Sequence, residues 1–251
     1  MINKPYFSIV IPTLNEEKFL PSLLQDLTKQ TFFSDKFEVI VIDSDSEDET
    51  INKTSKFAKI LNLKTYLVSK RNVSFQRNYG AEKAKGEWIL FFDADTRIPK
   101  DFIKKISEEI TNRPNCDVFT TFLAQNSRSW QEKVSTFFIN LGFKIYLILG
   151  QPVAMGAFIA SKKNVLTKIS FSQKHRYLED TFFIRHAKSL GFKFCIFTKS
   201  KYFFSFRRMK SQGFFSFMMM HILLQFRFII GNKFLKKIKA YPMKGGNYYE
   251  K

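Results

Sequence analysis

Cysteine is scarce in this chain, and its two cysteines stand far apart. Cys116 and Cys195 form no CxxC pair, and neither has a histidine at metal-ligand spacing. Zinc sites and disulfide frameworks need several closely and regularly spaced cysteines or histidines. The sequence therefore predicts two core cysteines in a reducing compartment.

Glycine-rich phosphate motifs are also missing. The chain has 10 glycines, but none of them stands in a GxGxxG or GxxxxGK[ST] pattern. Dinucleotide redox chemistry and P-loop hydrolysis are therefore unsupported. No internal repeat and no motif of a nucleic-acid-binding fold is visible, and the aromatic residues fall mostly in apolar runs that are typical of a core. We expect no nucleic-acid partner.

A long apolar run is absent from the N-terminus. The opening sequence MINKPYFSIVIPT has only the short run from Phe7 to Ile11, and Pro12 follows it at once. This run is shorter than the apolar core of a secretory signal peptide. We expect a cytoplasmic location.

Apolar and basic residues are abundant instead. Of 251 residues, 45% are hydrophobic, which is enough to offset the ordering entropy of a folded domain. The 41 lysines and arginines outnumber the 22 acidic residues and give a formal charge of +19. This charge would attract phosphate-rich partners such as anionic lipid or a nucleotide, although a bias in composition explains it equally well.

The first half of the chain alternates short apolar runs with helical patterns, which is typical of βαβ units. Strands are predicted over 7–11, 37–42, 64–68, 88–92 and 117–122. Ser46 and Glu49 have the spacing of a capping box at the start of a helix. The predicted fold is α/β, with a mostly parallel sheet of at least five strands sandwiched by helices.

The second half is less regular and contains two long apolar segments. A short strand is predicted over 157–161 and a helix over 180–190. The segment 214–230 is almost wholly apolar between basic flanks, which favours a helix lying on an anionic membrane surface. A core helix or a dimer contact is the alternative. The segment 134–149 is a second candidate for an interfacial or core helix.

Carboxylates gather directly after the predicted strands. Ligands of open parallel sheets bind at the carboxyl ends of the strands, and Asp43, Asp93 and Asp95 lie at such ends. Asp93 and Asp95 are two positions apart, so on an extended backbone both would face one side and reach one Mg²⁺ or Mn²⁺ ion. Aspartates that merely cap turns after strands are the alternative.

Four ordered segments carry a family resemblance. They are SIVIPTLNEEKFL, VIVIDSDSEDET, RNVSFQRNYGAEKAKGEWILFFDADTRIP and LEDTFFIRHAKSLGFKF, which together span Ser8 to Phe194. In order and spacing, the sequence resembles a family 2 glycosyltransferase. The resemblance implies the GT-A fold and an inverting hexosyl transfer from a nucleotide diphosphate sugar to a glycan or lipid-linked acceptor, in cell-envelope synthesis. Uridine is the expected base, with guanosine or thymidine as alternatives.

The resemblance also assigns a donor pocket. It implies that Pro12, Thr13 and Glu16 line the nucleotide pocket. Asp43 would accept a hydrogen bond from the base, and Arg77 would lie near the diphosphate. In many relatives a second aspartate follows the first, but here that position is Ser44, so only Asp43 is assigned.

The chemical roles follow from the same resemblance. Asp93 would face the ribose or the metal, Asp95 would hold the divalent metal, and Asp180 would be the general base. An ordinary acidic helix start is the alternative for Asp180. The segment SFRRMKSQGFF replaces the QxxRW element of processive synthases, which predicts single transfers, with Arg207 and Arg208 near the phosphates.

The predicted organisation is a catalytic domain over 1–205, with a nucleotide-binding half (1–98) and an acceptor half (99–205), followed by a basic, apolar, membrane-associating helical tail over 206–251.

Two other functions stay open. FFDADT also resembles the DxDxT motif of haloacid dehalogenase-like phosphatases, although three strands precede it here. A non-enzymatic basic membrane-binding protein is the second alternative.

Overall fold

The computed structural model describes residues 5–125, 127–174 and 178–219. Its strands are β1 (Phe7–Thr13), β2 (Phe37–Asp43), β3 (Leu63–Leu67), β4 (Trp88–Phe92), β5 (Val118–Leu123), β6 (Phe158–Lys162) and β7 (Phe194–Tyr202). Its helices are α1 (Leu20–Thr28), α2 (Thr50–Ser55), α3 (Val73–Lys83), α4 (Phe102–Thr111), α5 (Trp130–Ile148), α6 (Lys163–Leu166), α7 (Glu179–Ser189) and α8 (Arg207–Gln212).

The strands form one sheet in the order β3-β2-β1-β4-β6-β5-β7. All neighbouring strands run parallel except β6, which is antiparallel to both β4 and β5. Parallel neighbours need a crossover connection, and the helices between the strands supply it. The predicted mostly parallel α/β architecture is confirmed.

Side chains of each central strand alternate between two cores. In β1, Ile9 and Ile11 lie in one apolar cluster, whereas Val10 lies in the other. In β4, Phe92 and Phe91 divide in the same way. Because successive strand residues point to opposite faces, both faces of the sheet are covered, as the continuous apolar runs predicted.

Helix α3 lies unusually close to β1. A Cβ atom on Gly80 would come within 2.3 Å of Val10 Cγ1, so only glycine allows this contact. The close approach lets Gln76 Nε2 donate to the backbone oxygens of Thr13 (2.8 Å) and Ile42 (2.7 Å). This one amide therefore fixes the carboxyl ends of β1 and β2 relative to each other.

Two strands differ from the sequence-based expectation. β3 is an edge strand with partly exposed side chains, not a strand buried on both faces. β7 was missed because its second half, TKSK, is polar and its pairing with β5 shifts register there. Glu109 accepts hydrogen bonds from the backbone nitrogens of Thr198 (2.8 Å) and Ser200 (2.9 Å), which holds the irregularity in place.

The predicted capping box is wrong. Helix α2 begins at Thr50, and Glu49 is its N-cap without a side-chain hydrogen bond. Ser46 has another role: its hydroxyl donates to Asp43 Oδ2 (2.6 Å) and accepts from the Asn15 backbone nitrogen (2.8 Å). Tertiary contacts of the loop after β2 therefore outweigh the local capping pattern.

The predicted tail is described only as far as residue 219. It contains α8 and a further helical stretch over 214–219, and the rest of the 214–230 segment lies outside the described residues. Phe206, Met209 and Phe217 form a small apolar cluster against Ile139 of α5. In the described part of the chain, no helix has the length and apolar character needed to cross a bilayer.

Candidate active site

The site residues assigned from the sequence come together at one edge of the sheet. Strands β1, β2 and β4 are parallel neighbours, so their carboxyl ends open onto the same side. Thr13 pairs in register with Asp43, and Pro12 with Ile42. Asp93 directly follows β4. Strand order therefore joins residues that the sequence places tens of positions apart.

Asp43 is completely buried, and the surrounding polar groups fix its carboxylate. Its Oδ2 accepts from the hydroxyls of Thr13 (2.9 Å) and Ser46 (2.6 Å), while its Oδ1 accepts from the Ser46 backbone nitrogen (2.8 Å). Asn15 and Asp45 adopt positive φ angles of 53° and 61° in the two adjoining loops. The loops after β1 and β2 thus form one hydrogen-bonded unit at the end of the sheet.

Arg77 joins the two halves of the site. Its side chain is 1% exposed; Nη2 lies 2.9 Å from Asp93 Oδ1 and Nη1 lies 2.9 Å from Glu179 Oε1. Nη2 also donates to the Gly156 backbone oxygen (3.0 Å), and a Cβ at position 156 would come within 2.7 Å of Nη2. Burial opposes the charge of Arg77, but the two carboxylates outweigh it and raise the pKa of Arg77.

Asp180 lies in the first turn of α7, beside Glu179. Leu178 precedes the helix in the left-handed region (φ 57°), and Asp180 Oδ1 accepts from the Thr181 backbone nitrogen (2.6 Å). The side chain is buried, and burial raises the pKa of Asp180 to about 8, with a further increase from the charge of Glu179. A carboxyl group with this affinity for protons is suited to act as a general base near neutral pH.

Arg207 binds two of the assigned carboxylates at once. Its Nη1 and Nη2 donate to Glu16 at 3.0 and 2.8 Å, and its Nε lies 2.8 Å from Asp95 Oδ2. Burial raises the pKa of Glu16 to about 7, although the hydrogen bonds from Arg207 limit the increase. Burial also raises the pKa of Asp95, although the positive charge of Arg207 limits the increase. The start of α8 therefore belongs to the site.

The two aspartates of the DxD sequence do not share an extended backbone. β4 ends at Phe92. The Thr96 backbone nitrogen then donates to the backbone oxygen of Asp93 (3.0 Å), which closes a turn. Asp93 pairs with Arg77, whereas Asp95 pairs with Arg207. The extended-backbone argument was therefore wrong, but the carboxylates stay close enough for Asp93 to raise the pKa of Asp95.

A divalent cation can be tested against these side chains. Within the described ranges, no group of three or more histidine, cysteine, aspartate or glutamate side chains is arranged to hold a metal. Mg²⁺ and Mn²⁺ prefer oxygen ligands and often bind through one or two carboxylates plus the phosphates of a substrate. Asp95, with Asp93 beside it, fits that second arrangement once a diphosphate supplies the remaining oxygens.

Two residues near the site were not found from the sequence. Gln76 stood inside a helical pattern, and only its contacts with Thr13 and Ile42 give it a role. Tyr202 ends β7; its hydroxyl is buried with no hydrogen-bond partner among the described residues. Burial raises the pKa of Tyr202, and the charges of Asp93 and Asp180 raise it further, which places this hydroxyl near both carboxylates.

Comparisons with known proteins give one family match and several relatives. The model of the family described as Glycosyl transferase family 2 matches residues 8–170. TarS of Staphylococcus aureus, a poly(ribitol-phosphate) beta-N-acetylglucosaminyltransferase, is 38% identical over 100 residues, which cover 39% of this chain and 18% of TarS. An uncharacterized glycosyltransferase of Haemophilus influenzae is 30% identical over 190 residues, covering 70% of this chain and 60% of that protein. The chain spans less than two thirds of both relatives.

Solved structures show a similar fold. TarS residues 1–349 in complex with UDP match with a TM-score of 0.62 and 23% identity, over 88% of this chain and 65% of that one. The mannosyltransferase PcManGT from Pyrobaculum calidifontis, in complex with GDP-Man and Mn²⁺, matches with a TM-score of 0.66 and 18% identity. The match covers 86% of this chain and 65% of that one. Glucosyl-3-phosphoglycerate synthase from Mycobacterium tuberculosis, in complex with Mn²⁺, UDP-glucose and phosphoglyceric acid, matches with a TM-score of 0.62 and 18% identity. The match covers 95% of this chain and 87% of that one.

Proposed function

Because the chain belongs to glycosyl transferase family 2 and has the GT-A fold, we propose that it is an inverting glycosyltransferase that uses a nucleotide diphosphate sugar. A UDP-sugar is the favoured donor, and the acceptor is a hydroxyl of a cell-envelope glycan or glycolipid. TarS, whose structure is solved with UDP, supports this choice of donor.

One observation carries the proposal. Arg77 joins a carboxylate of the proposed donor side, Asp93, to a carboxylate of the proposed acceptor side, Glu179, each at 2.9 Å. Asp180 follows Glu179 directly and differs from an ordinary surface aspartate in its burial and raised pKa. Glycosyl transfer with inversion needs a stabilised leaving group and a base on opposite sides of the sugar, and this cluster offers groups for both.

The donor would bind along the ends of β1 and β2. Pro12 and Thr13 form the end of β1, Glu16 follows in the next loop, and Asp43 would accept a hydrogen bond from the base. Thr13 and Ser46 hold the carboxylate of Asp43 in one position through hydrogen bonds. This fixed carboxylate would favour one orientation of the base. A divalent metal, held by Asp95 with Asp93 beside it, would neutralise charge on the departing diphosphate.

Asp180 would act on the acceptor. Its ionised carboxylate removes the proton of the acceptor hydroxyl, whose oxygen bonds to the anomeric carbon while the bond between that carbon and the diphosphate oxygen breaks. The electron pair of the broken bond leaves with the nucleoside diphosphate. Because attack and departure occur on opposite faces, the anomeric configuration inverts. The haloacid dehalogenase-like phosphatase alternative is not favoured, since FFDADT lies at the end of the fourth strand and in the turn after it, inside the matched family region.

We propose that the protein works as a peripheral protein on the cytoplasmic face of a membrane. The support is the formal charge of +19, which favours anionic lipid surfaces. The apolar segment 214–230, with its basic flanks, adds to that support.

Nucleotide binding provides the direct test of the donor site. A panel of nucleoside diphosphates and nucleotide sugars is screened by thermal denaturation with and without Mn²⁺, on the wild type and Asp95→Ala. A specific ligand at about a hundred times its Kd stabilises the native state by about 2.7 kcal/mol. We expect the nucleotides of one base to stabilise the wild type against thermal denaturation, and Mn²⁺ to increase this stabilisation. The increase caused by Mn²⁺ should be absent in Asp95→Ala.

Asp117→Asn serves as a matched control, because this aspartate pairs with Lys162 away from the proposed site. It should keep the full ligand response. A wild-type protein that no nucleotide stabilises would overturn the proposed function, and an unchanged response of Asp95→Ala would remove Asp95 from the metal site.

Arg207 gives a second prediction about the donor site. This guanidinium neutralises Glu16 and Asp95, the groups that would receive a cation. We expect Arg207→Ala to bind Mn²⁺ alone more tightly, because a competing positive charge is gone. It should bind the nucleoside diphosphate about tenfold or more weakly, because a charge-assisted hydrogen bond contributes about 1.5–3 kcal/mol.

Isothermal titration calorimetry at pH 8 measures both affinities. Lys210→Ala is the control, since Lys210 is an exposed cation on the same helix. If Arg207→Ala weakens Mn²⁺ and nucleotide binding equally, Arg207 has only a structural role.

A further inference from the structure

Helix α5 carries its apolar side chains on the outside of the protein. Of its 19 residues, only Ser135, Thr136 and Phe143 are buried. Six of its large apolar side chains are exposed instead, and we call them the α5 apolar face: Trp130 (59%), Phe137 (61%), Phe138 (51%), Leu141 (38%), Ile145 (45%) and Ile148 (84%). A helix that packs on a core normally shows the reverse distribution.

These residues share one side of the helix. Trp130, Phe137, Leu141 and Ile148 follow each other at intervals of seven and four positions, which brings them onto one stripe. The opposite side packs against the protein through polar contacts as well as Phe143: Asn140 Oδ1 accepts from the Leu123 backbone nitrogen at 2.9 Å. The polar side is therefore already occupied, while the apolar side has no cover within the described residues.

The apolar surface continues onto the segment after α8. The ring of Trp130 contacts that of Phe214 with centroids 5.3 Å apart. Beyond it, Phe215 is 82% exposed and Met219 is 56% exposed. A contiguous exposed apolar surface of this kind marks a contact with another apolar phase or protein.

Charge decides between a lipid surface and a second copy of the chain. The exposed side chains of Lys133 and Lys144 border the α5 apolar face, and the single acidic residue of α5, Glu132, is paired with Lys210 at 3.2 Å. Two copies meeting through this face would bring like charges together. A bilayer with anionic headgroups would accept the apolar side chains in its interior and the lysines at its surface.

We infer that α5 lies in the plane of an anionic phospholipid bilayer, with the α5 apolar face inserted among the lipids. This inference deepens the proposed function. The chain runs from the end of α5 through residues 149–155 to Gly156, whose backbone oxygen accepts from Arg77 at 3.0 Å. Only seven residues therefore connect the bilayer-bound helix to the proposed acceptor side, which suits a lipid-linked acceptor.

Vesicle flotation of the full chain tests the inference. We compare vesicles of equal parts phosphatidylglycerol and phosphatidylcholine with vesicles of phosphatidylcholine alone. The test variants are Phe137→Ser/Leu141→Ser and Lys133→Glu/Lys144→Glu; the matched control is Ile60→Ser/Leu67→Ser, since Ile60 and Leu67 are 66% and 68% exposed elsewhere.

We expect the wild type to float with the anionic vesicles and bind those of phosphatidylcholine alone more weakly. The serine pair on α5 should reduce affinity by about tenfold or more, because two apolar side chains that insert among the lipids are lost. The glutamate pair should reduce it most at low salt, and the control should bind as the wild type does.

Three results would overturn the inference: no flotation of the wild type, unchanged binding of the α5 serine pair, or a wild-type dimer that this pair dissociates in light scattering without vesicle binding. Nucleotide-induced stabilisation is measured on the same samples. If it persists while vesicle binding is absent, the inference about α5 and the proposed membrane location fail, whereas the proposed sugar transfer stands.

Discussion

Replacing Asp180 with asparagine is expected to lower the rate of sugar transfer by about 10²- to 10⁴-fold, the usual contribution of a general base. The amide cannot take the acceptor proton, but its oxygen can still accept from the Thr181 backbone nitrogen, as Asp180 Oδ1 does at 2.6 Å. Stabilisation by the donor nucleotide should therefore stay at the wild-type level. A product-formation assay combined with thermal denaturation separates the two effects.

The same variant should change the pH dependence of activity. The base must be ionised, and burial raises the pKa of Asp180 to about 8, so kcat/KM of the wild type should increase as pH rises toward that value. The residual activity of Asp180→Asn should lack that increase. Asp117→Asn, outside the site, should keep the wild-type rate and profile. NMR of the product should show an inverted anomeric centre; retention would contradict the assignment of Asp180 as base.

The stability of the folded protein should change with pH in the direction opposite to its activity. The folded-state pKa of Asp180, about 8, exceeds the value of about 4 for an unfolded aspartate. Stability from this group is therefore complete below pH 4 and is lost as pH rises toward 8. The asparagine of the Asp180→Asn variant does not ionise, so the variant does not lose this stability. Its melting temperature, compared with that of the wild type, should therefore increase as the pH rises from 4 toward 8. A variant that is less stable at pH 8 would show that Asp180 supports the fold.

Removing the guanidinium of Arg77 should have the largest effect on stability. Arg77→Met leaves Asp93 and Glu179 without their buried cation. Breaking a buried ion pair by removing one partner costs about 3–5 kcal/mol. In a domain of this size, that corresponds to a decrease of about 6–20 °C in melting temperature. Sugar transfer should be lost as well, because Arg77 holds both sides of the site.

Arg97→Met is the matched control for Arg77. Arg97 also binds a carboxylate through two nitrogens, at 2.6 and 2.7 Å from Asp26, but its side chain is 51% exposed. Solvent screening reduces its contribution to about 1 kcal/mol. Adding Glu179→Gln to Arg77→Met should restore part of the lost stability, since one unpaired carboxylate is removed. Equal stability of Arg77→Met and the wild type would contradict the buried-pair account.

Much of the N-terminal half of the sheet could be predicted from the sequence. The runs that became β1, β2 and β4 are continuous and apolar, because strands covered on both faces select such residues. The position of Asp43, Asp93 and Asp95 at strand ends followed from the same pattern. By contrast, β7 carries polar residues at its irregular pairing with β5, so its pattern was not that of a strand.

The family, the α/β architecture and the candidate carboxylates followed from the sequence, because short-range periodicity and ordered motifs encode them. Tertiary structure alone decided which charges meet: Arg207 reaches Glu16 across 191 positions, and Arg77 reaches Glu179 across 102. It also decided that the apolar residues of α5 face outward. The reason is physical: local patterns specify what each segment becomes, but the packing of distant segments determines which partner each buried charge and apolar face receives.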